Sequence, residues 1–236
     1  MGIYIEKPMK TDVAVIIPCL NERMTIAETC RQFKAKLPDA TICVGDNNST
    51  DGTASAAAAE PCCDVVMRCP VPGKGAATRD MVHMIRADWY ITVDGDMTYS
   101  PENIRKMLEI AKKAASRNDD IIVTGERALS RGNQRPLHKP GNKLVDILVG
   151  IRYGTRVRDV MTGYRVVPGQ LFRDFVDRSP YDGFEIETAF VMYALSRGYE
   201  LEYVPCAYSD RPDGSKSKLR TVRDGMQVLK AVVSKI

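Results

Sequence analysis

Short apolar runs rich in β-branched residues alternate with longer amphipathic segments along the first half of the chain. The runs predict buried strands, and the segments between them carry apolar residues at helical spacing. Predicted strands cover residues 12–18, 41–46, 64–68, 89–96 and 120–125, and predicted helices cover residues 21–37, 49–60, 73–87 and 100–115. This alternation favours right-handed crossovers and therefore a Rossmann-like α/β fold, a mostly parallel sheet with helices on both faces.

The second half of the chain is less regular. A polar loop is predicted at residues 130–142, strands within 156–167 and at 200–205, and helices at 143–151, 185–199 and 228–236. No low-complexity linker or internal repeat separates the two halves. We therefore expect one domain over residues 1–236, with a first half at about 12–125 and a second half at about 126–236.

Composition and charge exclude several classes of protein. Hydrophobic residues make up 44% of the chain, which is enough to bury a core and argues against disorder. The net charge of +4 is too small to indicate a nucleic acid partner, although it does not exclude one. Seven cysteines without CxxC spacing predict a reduced, cytoplasmic protein rather than a disulfide framework or a zinc site. No apolar run reaches the roughly 18 residues of a spanning helix, so we expect no transmembrane segment.

Polar residues follow the predicted parallel strands at the edge where such sheets bind ligands. These residues are Asn21, Asp46, Lys74 and the pair Asp94 and Asp96. Neither the GxGxxG fingerprint of dinucleotide folds nor the phosphate-binding GxxxxGK[ST] loop is present, so both of those nucleotide sites are excluded. The chemistry must therefore be sought in the strand-end side chains.

Asp94 and Asp96 stand two residues apart at the end of a buried strand. Two neighbouring carboxylates repel each other unless a cation lies between them, and hard oxygen ligands suit Mg²⁺ or Mn²⁺. Such an ion bridges carboxylates to a diphosphate and neutralises it as a leaving group. The alternative is a solvated Asp-Gly turn.

A second motif could bind the diphosphate. The helix that starts at residue 73 can present its backbone N–H groups to a diphosphate, together with the charges of Lys74 and Arg79. The alternative is a capped turn whose charges are only solvated.

Eight motifs in register resemble one known family. The first four are IIPCLNE, VGDNNSTDGT, GKGAATRD and VDGDM. In this order and at these separations they resemble the family 2 glycosyltransferases of the GT-A fold. The later motifs are GERALSRGNQRPLHKPGN, RDVMTGYRVV, GFEIETAF and RPDGSKSKLRTVRDG. They are similar to the branch that contains dolichol-phosphate-mannose synthase and bacterial polyprenyl-phosphate glycosyltransferases.

The resemblance implies roles for the residues of the first half, which becomes the nucleotide-sugar half. By similarity, Pro18, Asn21 and Glu22 line the nucleoside pocket and Asp46 contacts the base. Lys74 and Arg79 lie by the diphosphate. Asp94 is near the ribose and the metal, and Asp96 is the principal metal ligand. Residue 47 is Asn where relatives often carry a second Asp, which leaves uridine and guanosine both open.

The second half becomes the acceptor half. By similarity, Asp159 lies beside the reacting centre and Arg165 holds phosphate, although an ion pair at a strand edge would also explain both. Glu187 falls where simpler family members carry the catalytic base, and stabilisation of a helix N-terminus is its alternative role. Glu187 is the expected base for a hydroxyl acceptor. For a phosphate acceptor, which is already anionic, Asp159 and Glu187 would position groups instead.

Basic residues concentrate on the acceptor half and favour an anionic acceptor. Between residues 127 and 158, eight Lys or Arg face one acid, Asp146. We expect acceptor contacts from Arg127, Arg135 and His138. A loop with Arg211, Ser215, Lys216 and Lys218 is expected to close over the diphosphate or the acceptor phosphate and exclude water. The alternative is an ordinary Asp-Gly turn before the last helix. Single-sign patches of this kind also attract lipid headgroups.

The sequence thus predicts a metal-dependent, inverting glycosyltransferase. It uses a UDP- or GDP-linked sugar as donor, Mg²⁺ or Mn²⁺ as cofactor and a polyprenyl phosphate as acceptor. The alternative keeps the donor chemistry and uses a soluble hydroxyl on a glycan, a protein or a modified nucleobase. Similar proteins often continue into two hydrophobic spans, and the present sequence shows none. We therefore expect a cytoplasmic protein that is peripheral on the inner face of a membrane.

Overall fold

The computed structural model describes residues 8–129, 138–212, 214 and 221–234. The strands are β1 (Met9–Cys19), β2 (Thr41–Asp46), β3 (Val65–Arg68), β4 (Ile85–Thr92), β5 (Ile121–Leu129), β6 (Arg165–Pro168) and β7 (Glu200–Tyr208). The helices are α1 (Ile26–Lys36), α2 (Thr53–Ala58), α3 (Lys74–Met84), α4 (Ile104–Ala115), α5 (His138–Tyr153), α6 (Gly169–Arg178), α7 (Ile186–Ser196) and α8 (Thr221–Val233). A 3₁₀ turn at Pro101–Asn103 leads into α4.

The strands of the described residues form one sheet in the order β3-β2-β1-β4-β6-β5-β7. Neighbouring strands are parallel except at β6, which runs antiparallel to both β4 and β5. Helices cover both faces of this sheet, so the predicted fold class is confirmed. Because β1, β2 and β4 are parallel neighbours, their carboxyl ends meet at one edge, where the predicted ligand site lies.

Three apolar clusters hold the layers together. The first packs α1, α2 and α4 on one face of the sheet, with Phe33 of α1 and Met107 of α4 fully covered. The second packs α3, α6 and α7 on the other face, with Phe175 of α6 at its centre. In the third, α5 and α8 pack on α7 through valines such as Val149. Helices α5 and α8 are therefore stacked outward from the sheet through α7.

The structure differs from the sequence predictions at several elements, among them the last helix, which begins at Thr221 and not at residue 228. The helix predicted at 73–87 ends at Met84. It ends early because Met9, the first residue of β1, pairs with Ile85, so that β4 already begins at Ile85. The loop predicted at 130–142 is too long, since α5 begins at His138 and its first turn tolerates a proline. Helix α6 was not predicted, although its buried Leu171, Phe172 and Phe175 follow a helical period.

None of the helices within the described residues combines the length and the apolar character that crossing a membrane requires.

Candidate active site

The strand ends bring the predicted residues of the first half to one edge of the sheet. Strand β1 ends opposite β2 with Cys19 paired to Asp46, and Glu22 follows two residues after the bend. Strand β4, on the other side of β1, leads directly into Asp94 and Asp96. Pro18 lines a small cavity beneath this edge together with Lys74 and Glu187. The sequence therefore located this edge correctly.

Four alternating charges form a chain across the two halves, which we call the Lys74 chain. The Nζ atom of Lys74 lies 2.7 Å from Oδ1 of Asp94 and 2.7 Å from Oε1 of Glu187. The second oxygen of Glu187, Oε2, accepts a bond from Arg165. Arg165 is fully buried at 1% exposure and also donates to the carbonyl of Val160 at 2.5 Å. Each buried charge therefore has an opposite neighbour, which offsets the cost of its burial.

Burial and the attraction between opposite charges shift the pKa values of Lys74 and Asp94 in opposite directions. Burial alone would lower the pKa of the Lys74 ammonium, but Asp94 and Glu187 together raise it. Burial alone would raise the pKa of Asp94, but the adjacent Lys74 lowers it. Both groups are therefore charged at neutral pH. Lys74 is a fixed cation at the end of β4, where a diphosphate would need one.

Asp96 belongs to a second group of charges. Its Oδ2 lies 2.5 Å from Nη2 of Arg211, and Oε1 of Glu22 lies 2.9 Å from Nη1 of the same guanidinium. The backbone N–H and the hydroxyl of Thr98 both donate to Oδ1 of Asp96. Burial, and then the charge of Asp94, raises the pKa of Asp96. Arg211 thus ties the end of β7 to residues that follow β1 and β4.

The two aspartates fit a divalent cation. Among the described residues no three His, Cys, Asp or Glu side chains gather as a metal cage. Magnesium commonly uses one or two carboxylates and takes its other ligands from water and substrate phosphates. Asp94 and Asp96 supply that number of oxygen donors. Burial, and after it the charge of Asp94, raises the pKa of Asp96, and a cation between the two carboxylates would offset the second of these effects. Each aspartate has a protein cation, Lys74 or Arg211, as its present partner.

Asp159 has a different partner from the expected one. It pairs with Arg127, whose backbone N–H and Nε each donate to the carboxylate at about 3.0 Å. Asp159 has the left-handed φ of 48°, a strained conformation that its neighbours must hold. Asp146 of α5 does so by accepting the N–H groups of Asp159 and Val160 at 3.1 and 2.8 Å. An ion pair between Asp159 and Arg165, the alternative considered from sequence, is not what forms.

Asp46 carries the clearest sign of a missing ligand. It is 5% exposed, and its Oδ1 is buried with no hydrogen-bond partner among the described residues. Buried polar atoms are nearly always paired, so this oxygen points to a donor from outside the chain. Asn47 is instead used internally, because its side chain bonds to Cys69, Val71 and Gly73. Asn21 is also used internally and accepts the N–H of Thr50.

The start of α3 and Arg79 differ from expectation. The N–H groups of Gly75 and Ala76 both point to the carbonyl of Asp182, so they do not face a diphosphate. A Cβ at Gly73 would lie 2.0 Å from that carbonyl, so glycine is required for this approach. The guanidinium of Arg79 donates to Asp182 and to carbonyls of residues 176, 179 and 181. Arg79 therefore fastens the segment before α7 and joins neither charge cluster.

Three positions that contact predicted site residues were not assigned a role from the sequence. A Cβ at Gly163 would lie 2.8 Å from Nζ of Lys74, so this glycine leaves room for the Lys74 chain. The hydroxyl of Tyr99 accepts the N–H of Gly163 at 3.1 Å and holds that backbone in place. Asp146 supports Asp159. In the sequence, Asp146 stands out as the one acid in a basic stretch, whereas nothing in the sequence pattern singles out Gly163 or Tyr99.

Several acceptor-side predictions fall outside the described residues. Arg135, Ser215, Lys216 and Lys218 are among them, and so is the side chain of His138, the first residue of α5. The predicted contacts of these residues with acceptor or diphosphate therefore stay predictions.

Comparison with known proteins decides the class. The model of the family described as glycosyl transferase family 2 matches residues 14–177, more than half of the chain. The chain belongs to family 2 of the glycosyltransferases. It is therefore an enzyme that transfers sugars, as its motifs predicted. The matched range includes both strand-end aspartates and the Asp159 turn.

Curated members of family 2 resemble the chain over most of its length. Glycosyltransferase AglJ of Haloferax volcanii is 32% identical over 92% of this chain and 70% of its own. Polyprenol monophosphomannose synthase of Mycolicibacterium smegmatis is 25% identical over 90% of this chain and 83% of its own. The predicted resemblance to the polyprenyl-phosphate branch is thus confirmed.

A solved structure of a sugar-transferring enzyme shares the fold. Glucosyl-3-phosphoglycerate synthase from Mycobacterium tuberculosis, in complex with Mn²⁺, UDP-glucose and phosphoglyceric acid, aligns with a TM-score of 0.69. The alignment covers 94% of this chain and 78% of the synthase at 18% identity. At that identity the likeness establishes the GT-A architecture.

Proposed function

We propose that this family 2 glycosyltransferase moves a sugar from a UDP- or GDP-linked donor to a polyprenyl phosphate, with inversion at the anomeric carbon. The observation that carries the proposal is the state of Glu187, the expected base. Both of its carboxylate oxygens already accept bonds from cations, Lys74 and Arg165. A hydroxyl acceptor needs a base to take its proton, whereas a phosphate is anionic at pH 7 and needs none.

The reaction is a single in-line displacement. An oxygen of the acceptor phosphate forms a bond to the anomeric carbon while that carbon's bond to the donor diphosphate breaks, and the electron pair leaves with the diphosphate. No proton is transferred. Lys74 uses two of its three N–H donors on Asp94 and Glu187, so the third is available to an oxygen of the leaving diphosphate. Glu187 and Arg165 hold that ammonium in position.

The remaining site residues take roles on the two sides of the anomeric carbon. Asp46, with its unpaired oxygen, accepts an N–H of the nucleobase, and Glu22 and Asn21 frame the nucleoside pocket. On the acceptor side, Arg127 lies against Asp159 and supplies positive charge for the acceptor phosphate. Arg165 contributes indirectly, because its buried guanidinium is committed to Glu187 and Val160.

A divalent cation completes the donor site. When bound at Asp94 and Asp96, it supplies Lewis-acid neutralisation of the diphosphate. Support comes from the mycobacterial synthase of the same fold, which holds Mn²⁺ with UDP-glucose. Magnesium suits the same oxygen donors. Asp94 and Asp96 would hold the ion, and Arg211, which now lies on Asp96, would have to share that carboxylate with it.

The acceptor class is supported by the name of the mycobacterial relative, a polyprenol monophosphomannose synthase. A polyprenyl chain resides in a bilayer, so the reaction takes place at a membrane surface. We place the enzyme on the cytoplasmic side as a peripheral protein.

The test measures nucleoside diphosphate release from a panel of UDP- and GDP-sugars with Mn²⁺. Each donor is run alone, with a short polyprenyl phosphate, and with the matching polyprenol as control. We expect release to increase at least about tenfold with the phosphate and to stay at the basal rate with the alcohol, because only the phosphate brings an anionic nucleophile.

Other outcomes would overturn the proposal. Equal stimulation by polyprenol and its phosphate would show that the enzyme activates hydroxyls, with Glu187 or Asp159 as base. Release that ignores both lipids but responds to soluble glycans would move the acceptor away from membranes. Full activity after chelation of all divalent metal would remove the ion from Asp94 and Asp96.

A further inference from the structure

The turn between the two strand-end aspartates is bonded to the first turn of α1. The carbonyl of Gly95, which lies between Asp94 and Asp96 in the chain, accepts a hydrogen bond from the hydroxyl of Thr25 at 2.7 Å. Donor and acceptor are 70 residues apart in the sequence, so the bond exists only in the assembled fold. Thr25 is fully buried at 0% exposure. We call residues 94–96 the aspartate turn.

Thr25 does not use its hydroxyl for the usual local purpose. The residue occupies the N-cap position of α1, where a threonine hydroxyl normally accepts an N–H of the following turn. Within the described part of the chain, its side chain makes no such cap bond. A local helix cap therefore does not explain this threonine, whereas its contact with the aspartate turn does.

Distances decide which acceptor receives the single hydrogen of this hydroxyl. The carbonyl of Gly95 lies at 2.7 Å, the carbonyl of Glu22 at 3.1 Å and Oε2 of Glu22 at 3.4 Å. Hydrogen bonds between two oxygens are typically about 2.7 Å long. The bond from Thr25 to Gly95 is therefore the one that forms, and Glu22 lies beside it.

The surroundings of Gly95 leave the aspartate turn little freedom. A Cβ at this position would lie 2.5 Å from Sγ of Cys19 and 3.5 Å from Cδ1 of Ile26. Cys19 ends β1 and Ile26 begins α1. The turn is thus packed closely against both elements, and the hydroxyl of Thr25 fixes the direction of its central carbonyl.

A second connection joins the same two segments through side chains. Arg211 lies 2.9 Å from Glu22 and 2.5 Å from Asp96. This ion bridge depends on the charge of Asp96, which a bound cation would offset. The bond between Thr25 and Gly95 joins two uncharged groups, so it does not depend on that charge. It is therefore the connection suited to hold the turn while an ion occupies Asp96.

We propose that Thr25 is a positioning residue for the aspartate turn, and that its hydroxyl sets the backbone path from which one divalent cation can use both Asp94 and Asp96. Removing a hydrogen bond that orients metal ligands typically lowers metal affinity by about 10–100-fold. Thr25 itself contacts neither the ion nor the substrate. The inference rests on the metal site of the proposed function and is independent of the acceptor.

The test is a titration of the full chain with Mn²⁺, first alone and then with UDP or GDP, followed by electron paramagnetic resonance. The signal of free Mn²⁺ falls when the ion binds. We expect Thr25→Val to raise the Kd for Mn²⁺ about tenfold or more, because the carbonyl of Gly95 loses its donor. Thr25→Ser keeps a hydroxyl and should bind Mn²⁺ within about threefold of the parent chain.

Turnover gives a second readout that a general loss of stability would not produce. Thr25→Val should raise the Mn²⁺ concentration at half-maximal rate about tenfold or more. The rate at saturating Mn²⁺ should stay within about twofold of the parent chain, because the chemical step uses the same side chains once the ion is bound.

Thr29→Val is the matched control. Thr29 is a buried threonine of the same helix at 2% exposure. Its hydroxyl donates to the carbonyl of Thr25 at 3.0 Å and lies 3.4 Å from that of Gly95. This variant should keep the Kd for Mn²⁺ within about threefold of the parent chain, since the short bond to Gly95 is intact. Asp96→Asn is the reference for the metal site and should lose the ion.

Circular dichroism and melting temperature check that each variant is folded. If Thr25→Val does not fold, Thr25→Ala removes the same hydroxyl with a smaller side chain and should show the same loss of Mn²⁺ affinity.

Two results would overturn the role of Thr25 and keep the metal site. One is Mn²⁺ affinity like that of the parent in Thr25→Val, while Asp96→Asn loses the ion. The other is an equal loss of affinity in Thr25→Val and Thr29→Val, which would assign the effect to packing of α1. Mn²⁺ binding by Asp96→Asn like that of the parent would reject the metal site and this role with it. A failure of polyprenyl phosphate to stimulate turnover would reject the acceptor alone.

Discussion

Lys74 is the residue on which the charge balance of the site depends. It is 12% exposed and lies between carboxylates from β4 and from α7, so it joins the donor half to the acceptor half. Without it, Asp94 and Glu187 would be two buried anions with no cation between them. A buried anion that loses its partner costs more than the pair contributes.

Replacing Lys74→Met should therefore damage both stability and activity. We expect turnover to fall by about 10²-fold or more, because the leaving diphosphate loses its fixed cation. We expect the free energy of unfolding to fall by about 3 kcal/mol. Urea unfolding and steady-state rates measure the two effects. Lys34→Met is the matched control, since Lys34 forms a more exposed pair with Asp64 and should cost below about 1 kcal/mol.

Gly163→Ala tests the space around the same chain. The added methyl group would lie 2.8 Å from Nζ of Lys74 and 3.0 Å from Oδ2 of Asp94, so one of them must move. We expect kcat to fall about tenfold or more, with the melting temperature lowered by only a few degrees. Gly141→Ala is the control, because nothing lies within 4 Å of the methyl group there. Equal activity of the two variants would contradict the tight packing.

At the scale of elements, α3 and the segment before α7 are fastened together. Arg79 reaches from α3 to the carboxylate of Asp182 and to backbone carbonyls, and the same segment supplies the carbonyl that caps the start of α3. These contacts position Lys74 at one end and Glu187 at the other. The orientation of two site residues thus depends on a contact that touches no ligand.

Arg79→Lys separates this structural role from the diphosphate contact expected from sequence. An ammonium cannot reach all the acceptors of the guanidinium, so we expect the free energy of unfolding to fall by about 1–3 kcal/mol. The affinity for nucleoside diphosphate, measured by calorimetry at saturating Mn²⁺, should change by less than about threefold. A large loss of affinity at unchanged stability would restore the diphosphate contact.

Elements with a local signal were predictable, and elements set by pairing at a distance were not. Strands β1 to β3 follow from continuous apolar runs within each segment, and helix α4 follows from its apolar spacing and its N-terminal cap. For β6, the sequence predicted a strand within residues 156–167, but not its exact bounds or its antiparallel direction, because these are set by pairing with both β4 and β5.

The same distinction applies to the candidate site. Parallel strands bring Asp46, Asp94 and Asp96 to one edge, so the sequence could place them. The partner of Asp159 could not be predicted, because choosing Arg127 over Arg165 depends on the path of a turn with a left-handed residue. The close approach at Gly163 likewise exists only in the assembled fold.

At the scale of the whole molecule, Arg211 connects the last strand to the first and the fourth. Its guanidinium lies on Glu22 and on Asp96, both buried carboxylates from the donor half. The cation is therefore part of what holds the second half against the first before any ligand binds. A metal ion bound at Asp96 would neutralise this carboxylate in place of Arg211.

Arg211→Ala should make stability depend more strongly on metal. Without metal we expect the free energy of unfolding to fall by about 1–3 kcal/mol, because Asp96 and Glu22 lose a shared cation. Added Mn²⁺ should then raise the melting temperature of the variant more than that of the parent chain. Differential scanning calorimetry with and without Mn²⁺ measures both. Equal shifts in the two proteins would show that Arg211 and metal do not share Asp96.

The antiparallel β6 between β4 and β5 has a consequence for synthesis of the chain. Strands β4 and β5 leave the ribosome first, and neither can complete its ladder until residues 165–168 follow. Until then the nascent chain presents two open strand edges, which are templates for pairing with other chains. The strand that carries Arg165 into the site thus also delays closure of the sheet, and during that delay the edges of β4 and β5 stay open to pairing with other chains.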